Sequence, residues 1–177
     1  MPGRLAVHPV TPERWPDLER LFSAKGSPHY CWCTPYRFAD AHTMGKAGKK
    51  EAMEGCIKEG TPVGVLAYRG GAPVGWCSIA PRETYARLER SRTMPAVEEK
   101  PTWAVLCFFV PRGERGGDVP LRLLKGGVAY AKAHGAKVVE GYPWDTMGIS
   151  SRHRGHSRLF AAAGFKQDGK RWVRRFR

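Results

Sequence analysis

Trp103-Ala-Val-Leu-Cys-Phe-Phe-Val110 is an unbroken apolar run that passes directly into Pro111-Arg-Gly-Glu-Arg-Gly-Gly-Asp118. Its length and its aromatic and β-branched content predict a buried strand rather than a helix. From Val119 to His134 the pattern changes: Leu121, Leu124, Val128 and Ala131 recur at helical spacing, and Gly135 supplies a stop. A second strand is expected over Ala136-Lys-Val-Val-Glu-Gly-Tyr142, and the phrase Leu159-Phe-Ala-Ala-Ala-Gly-Phe165 closes a later helix over residues 155–163. A strand that empties through glycines onto a helix start aims backbone N–H groups at one spot, with the helix dipole behind them. That is an anion-binding geometry suited to phosphate. Gly126 and Gly127 inside the helix cost about 1 kcal/mol each relative to Ala, which predicts close packing against the sheet.

Outward from this centre, the residues read as further elements of one layered domain. Leu5 to Val10 is strand-like, and Thr11-Pro12 opens a helix that carries Trp15, Leu18, Leu21 and Phe22 on one face. Residues 26–37 form a loop rich in Cys, Pro and aromatics. A lysine-bearing helix is expected over 43–59, stopped by Gly60-Thr-Pro62. Residues 63–68 and 73–80 make a hairpin around Arg69-Gly-Gly-Ala72. A short helix over 83–90 precedes a polar connection over 91–101. Residues 145–155 make a loop over the site, and residues 170–176 make a last strand with a basic face. The expected fold class is α/β with mixed α+β character: a largely antiparallel sheet of about six to seven strands flanked by about four helices.

Composition narrows the function classes. At 177 residues and 42% hydrophobic content, one ordered domain spanning 1–177 is expected. No stretch of about 18 apolar residues occurs and the first residues lack a signal-peptide core, so a cytoplasmic location without membrane contact is expected. Five cysteines, Cys31, Cys33, Cys56, Cys77 and Cys107, lack both disulfide-scaffold and zinc spacing and read as free thiols, with no metal site. A net charge of +14 suits capture of an anionic small molecule or contact with nucleic acid. The tail Lys170-Arg-Trp-Val-Arg-Arg-Phe-Arg177, with aromatics between arginines, keeps the nucleic-acid reading open.

The order strand, Arg/Gly loop, helix, strand and terminal Gly164-Phe165 resembles the GNAT N-acetyltransferase superfamily, which moves an acyl group from coenzyme A to an amine. The family loop reads Arg/Gln-x-x-Gly-x-Gly/Ala; here Arg115 is kept, while Asp118 and Pro120 replace the two small residues. Cys31-Trp-Cys33 with Tyr36-Arg37, and Ala80-Pro-Arg-Glu83 with Tyr85, look like a bacterial subgroup of acetyltransferases. The resemblance implies acetyl-CoA as cosubstrate. Its pantetheine arm would lie along Phe108, Phe109 and Val110, between two diverging strands. Its pyrophosphate would lie over Arg115, Gly116, Gly117, Asp118, Val119 and Pro120. It also gives His153 a pantetheine contact, and Phe160 the position where the family often has a proton-donating Tyr.

The chemistry needs a base, an oxyanion donor and an acceptor pocket. Glu140 is the expected base, its pKa raised inside the sheet, and Tyr142 the expected substitute donor to the thiolate. The amide of Phe109 or Val110 would serve the oxyanion. Trp32, Tyr36, Arg37, Glu83 and Tyr85 are expected around the acceptor, a small-molecule or protein amine. Asp118 is expected to cap the helix amides that phosphate would use, and Pro120 removes one N–H, so weakened coenzyme A binding is expected. The alternative is a catalytically impaired module of the same fold that binds nucleic acid. The oligomeric state is left as monomer or homodimer.

Overall fold

In the computed structural model, which describes residues 3–146 and 149–177, seven strands follow one another along the chain. They are β1 (Leu5–Pro9), β2 (Gly64–Arg69), β3 (Ala72–Pro81), β4 (Thr102–Phe109), β5 (Val138–Gly141), β6 (Lys166–Asp168) and β7 (Arg171–Arg175). They form one sheet in the order β1-β2-β3-β4-β5-β7-β6, with the strand read first from the sequence at its centre. Every pairing is antiparallel except β4 with β5, which are joined through a helix as a parallel connection requires. Five α-helices occur among the described residues: α1 (Trp15–Ser23), α2 (Lys46–Lys58), α3 (Ala86–Glu89), α4 (Val119–Ala133) and α5 (Ser157–Ala162). The shortest, α3, is a single turn within the short helix expected over 83–90.

Two apolar layers cover the two faces of the sheet. On one face, Leu18, Phe22, Met53 and Ile57 of α1 and α2 pack on Leu66, Trp76 and Phe109. On the other, Leu123, Leu124 and Val128 of α4, with Phe160 of α5, pack on Val65, Ile79 and Val105. The glycines of α4 are where the helix touches the sheet. A Cβ on Gly126 would lie 2.5 Å from Val7 Cγ1, and one on Gly127 would lie 3.1 Å from Ile79 Cγ2. Close packing thus outweighs the helix penalty, as expected from the sequence. Gly75 of β3 does the same for the helix start, since a Cβ there would lie 2.8 Å from Val119 Cγ1. The buried Val119 therefore fixes where α4 begins.

Three differences from the sequence reading have local causes. The helix expected over 43–59 starts at Lys46, because a 3-10 turn occupies Ala41–Thr43. The helix expected from Gly155 starts at Ser157, because Gly155 takes a left-handed φ of +82°. The polar Lys166-Gln-Asp168, which carries no hydrophobic alternation, forms the edge strand β6 by pairing with β7 around Gly169. The loop expected over 145–155 contains two 3-10 turns, Trp144–Thr146 and Ile149–Arg154; Met147 and Gly148 within it lie outside the described residues.

The centre of the sheet carries the functionally decisive irregularity. Ser78 of β3 faces Cys107, but Ile79 faces Val105, so Leu106 is an extra residue on β4. Pairing of β4 with β5 ends at Val105 and Gly141, one residue before that bulge. A bulge bends its strand and increases the local twist. Beyond it, β4 from Leu106 to Phe109 has, among the described residues, no strand partner on the β5 side.

Candidate active site

Two clefts open on this free edge. The larger, of about 850 Å³, is lined by Tyr36, Ser78, Tyr85, Met94, Cys107 and Arg154 among others, on the side of the Cys-rich loop. The smaller, of about 600 Å³, runs past Val110, Arg115, Gly117 and Pro120, with Trp144, Arg152 and Leu159 opposite. Phe108, Phe109 and His153 line both. The two clefts adjoin at these three residues.

The smaller cleft ends on the start of α4. Among the described residues, the N–H groups of Gly116, Gly117, Asp118, Val119 and Leu121 have no hydrogen-bond partner. Unpaired amides at a helix start, backed by its dipole, form an anion cradle. Here the structure corrects the expectation for Asp118. Its side chain makes no capping bond; its carboxylate lies 3.7 Å from Arg69 and 3.6 Å from Arg122. Two guanidiniums draw the acid away from the amides it was expected to occupy. Pro120 sits within the first turn, where an N–H has no helical partner anyway, so its missing donor costs the helix nothing. Arg115 donates from Nε to the Val110 carbonyl at 2.8 Å, tying the loop to the end of β4. The residues present thus fit a diphosphate ester entering along β4.

Glu140 and Tyr142 lie elsewhere. Glu140 is fully buried and lines neither cleft; its Oε1 is ion-paired with Arg82. Arg82 is equally buried and donates also to the carbonyls of Leu88 and Met94, at 2.9 and 2.6 Å, and to the Tyr142 hydroxyl at 3.2 Å. Burial does push the Glu140 carboxyl above its ordinary range, as expected for a base, and Arg82 pulls against that rise. The group nevertheless faces a guanidinium rather than a reactant. Tyr142 is buried in the same cluster, and burial raises its phenol as well. Both residues clamp the turn between β3 and α3 onto β5. The sequence signal for Glu140, a carboxylate among apolar strand residues, reported burial correctly and could not report its partner.

Phe160 also falls outside both clefts. It is buried beneath Gly141 and Gly155, edge-on to Phe108 and Phe165 with ring centroids 6.4 and 5.1 Å away. Trp32 is buried between Trp15 and Phe22, so it packs α1 rather than an acceptor. Glu83 is exposed and lines neither cleft. Arg37 is buried behind the wall of the larger cleft, reaching Val63, Ser78 and Tyr85 with Nη2. Tyr36 and Tyr85 do line that cleft. The Tyr85 hydroxyl is 2.9 Å from Ser78 Oγ, and burial pushes its pKa up to about 12.

Cys33, Cys107 and Arg154 line the larger cleft without having been read as site residues. His153, singled out for pantetheine, stacks loosely on Tyr36 at 6.4 Å between centroids. Although His153 is exposed, partial desolvation and the Arg154 cation hold its pKa below the ordinary value. Trp32 and Cys33 both have left-handed φ, 49° and 52°, which strains the turn and brings Cys33 Sγ to 3.1 Å from Cys107 Sγ. Its bond to Cys107 raises the Cys33 thiol, and a bond to Cys33 raises that of Cys31, so neither is poised as a thiolate nucleophile. No helix is long and apolar enough to cross a membrane.

No protein-family model matches the sequence, and no curated protein does. Solved structures do match in fold. The aminoglycoside acetyltransferase AAC(6')-Ib in complex with coenzyme A aligns with a TM-score of 0.62 at 12% identity, over 97% of this chain and 95% of that one. A GNAT family acetyltransferase from Brucella melitensis in complex with acetyl-CoA aligns with a TM-score of 0.55 at 13% identity, over 98% and 89%. A GCN5-related N-acetyltransferase from Kribbella flavida aligns with a TM-score of 0.53 at 13% identity over 92% of this chain, which spans only 33% of that protein. The chain has the GNAT fold, a central sheet parted between its fourth and fifth strands.

Proposed function

We propose that this chain is an N-acyltransferase that moves an acetyl group from acetyl-CoA to a primary amine by direct attack within a ternary complex. One observation carries the proposal: two clefts meet at a single unpaired strand edge, and one of them ends on unspent helix amides. The acetyltransferases that share the fold include complexes with coenzyme A and acetyl-CoA, which supports the same cosubstrate here.

Under this reading the amides of Gly116, Gly117, Asp118 and Val119, with Arg115 beside them, hold the pyrophosphate. The free edge of β4 orients the pantetheine, with Phe108 and His153 bounding it. When bound, the thioester supplies an activated acetyl carbonyl. The Val110 or Phe109 N–H, at the open end of β4, donates to the oxygen of that carbonyl as charge gathers on it. His153 takes over the role expected of Glu140. It lies where the clefts join, and its lowered pKa keeps the imidazole neutral near pH 7, able to accept the proton of an incoming ammonium group. The freed amine attacks the carbonyl carbon and sheds a second proton to solvent as the amide bond forms, the carbon–sulfur bond breaks, and the imidazolium returns its proton to the departing thiolate. No donor from the Phe160 position is needed.

The alternative of an impaired nucleic-acid module drew on Asp118 and Pro120, on Phe160 and on the +14 charge; the free amides weigh against the first of these grounds. Calorimetric titration of coenzyme A into the purified chain tests the reading. Binding at micromolar concentrations is expected; no binding at millimolar coenzyme A overturns it.

A further inference from the structure

The larger cleft is cationic in a way the fold does not require. Arg154 lines it and is 8% exposed. Its Nε and Nη2 donate to the Tyr36 hydroxyl, and its Nη1 is buried without a partner. Arg37, 4% exposed, lies behind the same wall with Nε and Nη1 unpartnered. Among the described residues no carboxylate pairs with either guanidinium. Arg87 and Arg90 add two exposed cations, and among the described residues neither Asp nor Glu lines the cleft. Burying a guanidinium without a counter-ion is costly, and a fold that needed only packing there would hold an apolar side chain.

The hydroxyls of the wall point the same way. Arg37 Nη2 gives one N–H to the Val63 carbonyl and shares the other between Ser78 Oγ and the Tyr85 hydroxyl, 3.1 and 3.3 Å away, and these two oxygens share one further hydrogen bond. One O–H donates across that shared bond; the other is left for a ligand, with a cation behind it. A neutral donor backed by positive charge favours an anion and repels a second cation.

Resting on the acyl-transfer reading, we propose that the acceptor amine also bears a carboxylate, which docks against Arg154 and the hydroxyls of Ser78 and Tyr85. Its amine is thereby presented to His153. Polycationic amines are excluded by the same charges, in contrast to an acceptor class such as aminoglycosides.

The test uses the full chain and a matched series: ω-amino carboxylates of increasing length against diamines of the same length, so that only the remote charge changes. Acetyl transfer should favour the carboxylates at least about tenfold in kcat/KM, as for one charge-assisted hydrogen bond. Arg154→Gln should raise KM for the carboxylate by about tenfold and leave the coenzyme A dissociation constant within twofold; Arg154→Lys should recover part of the loss. Glutarate, which has no amine to react, should raise the melting temperature of the wild type and not of Arg154→Gln. Equal or better turnover of the diamines, with coenzyme A bound, overturns this inference and leaves acyl transfer standing. Failure of coenzyme A to bind, with Arg154-dependent protection by glutarate intact, overturns acyl transfer and leaves the carboxylate site standing. Equal protection of wild type and both variants overturns the site itself.

Discussion

Arg82 and Arg154 are both buried, yet their surroundings differ in kind. Arg82 has Glu140 beside it, Glu89 at 2.8 Å, two backbone carbonyls and a phenol. Arg154 has one phenol and an unpartnered nitrogen. The first region is electrically closed and serves the fold. The second is left open, and the missing charge is what a ligand can supply. Burial alone marks both arginines alike; the presence or absence of an opposite charge separates them.

The comparison breaks most visibly at Glu140. Glu140→Ala strands Arg82 in the interior with only the half-exposed Glu89 left, and should cost about 3 kcal/mol, on the order of 10 °C in Tm. Chemical denaturation and calorimetry measure this. Turnover per folded molecule should change little, and a loss of ~10²-fold with unchanged stability would restore Glu140 as the base. At the junction of the clefts the pattern should invert: His153→Gln should lower kcat about 10²-fold with Tm unchanged. The pH profile has a definite sign. The His153 pKa is lowered, so the neutral base persists below the ordinary 6.5, and kcat should fall only as pH drops through that lower value. In the variant that acid limb should vanish.

Smaller effects sharpen the contrast. Arg154→Met removes an unpaired buried charge and should raise stability by about 1 kcal/mol while impairing acceptor use, the opposite of any substitution at Arg82. Denaturant midpoints of the two variants, compared side by side, decide it; an Arg154→Met protein as unstable as Glu140→Ala would erase the distinction. The smallest change is expected at Asp118. Because its carboxylate is exposed and held by Arg69 and Arg122, Asp118→Gly should tighten coenzyme A only about threefold by calorimetry.

Much of the fold was legible because its determinants are local. The apolar run 103–110, the helical stripe through Leu121 to Ala131 and the stop at Gly135 each reach their structure through nearest-neighbour rules. The site was legible in part. Phe108, Phe109, Val110, Arg115 and Gly117 line the smaller cleft as the strand–loop–helix order implies, and Tyr36 and Tyr85 line the larger. Glu140, Tyr142, Phe160, Trp32 and Glu83 do not, since which way a strand or loop residue faces depends on what packs across from it. Gly141 admits the Phe160 ring beneath it, a relation over a long sequence separation with no periodic trace.

By itself the sequence determined the central strand, the glycine-bearing turn, the helix pressed to the sheet by Gly126 and Gly127, and the surplus of positive charge, because backbone preference and hydrophobic period act over a few residues. Tertiary structure alone decided that Leu106 bulges where β5 departs, that Asp118 leaves its amides free, and that Glu140 answers Arg82 while, among the described residues, no carboxylate answers Arg154. Those outcomes turn on electrostatic pairing and contact between distant segments. The charge of a side chain is written in the chain; whether it is neutralised is written only in space.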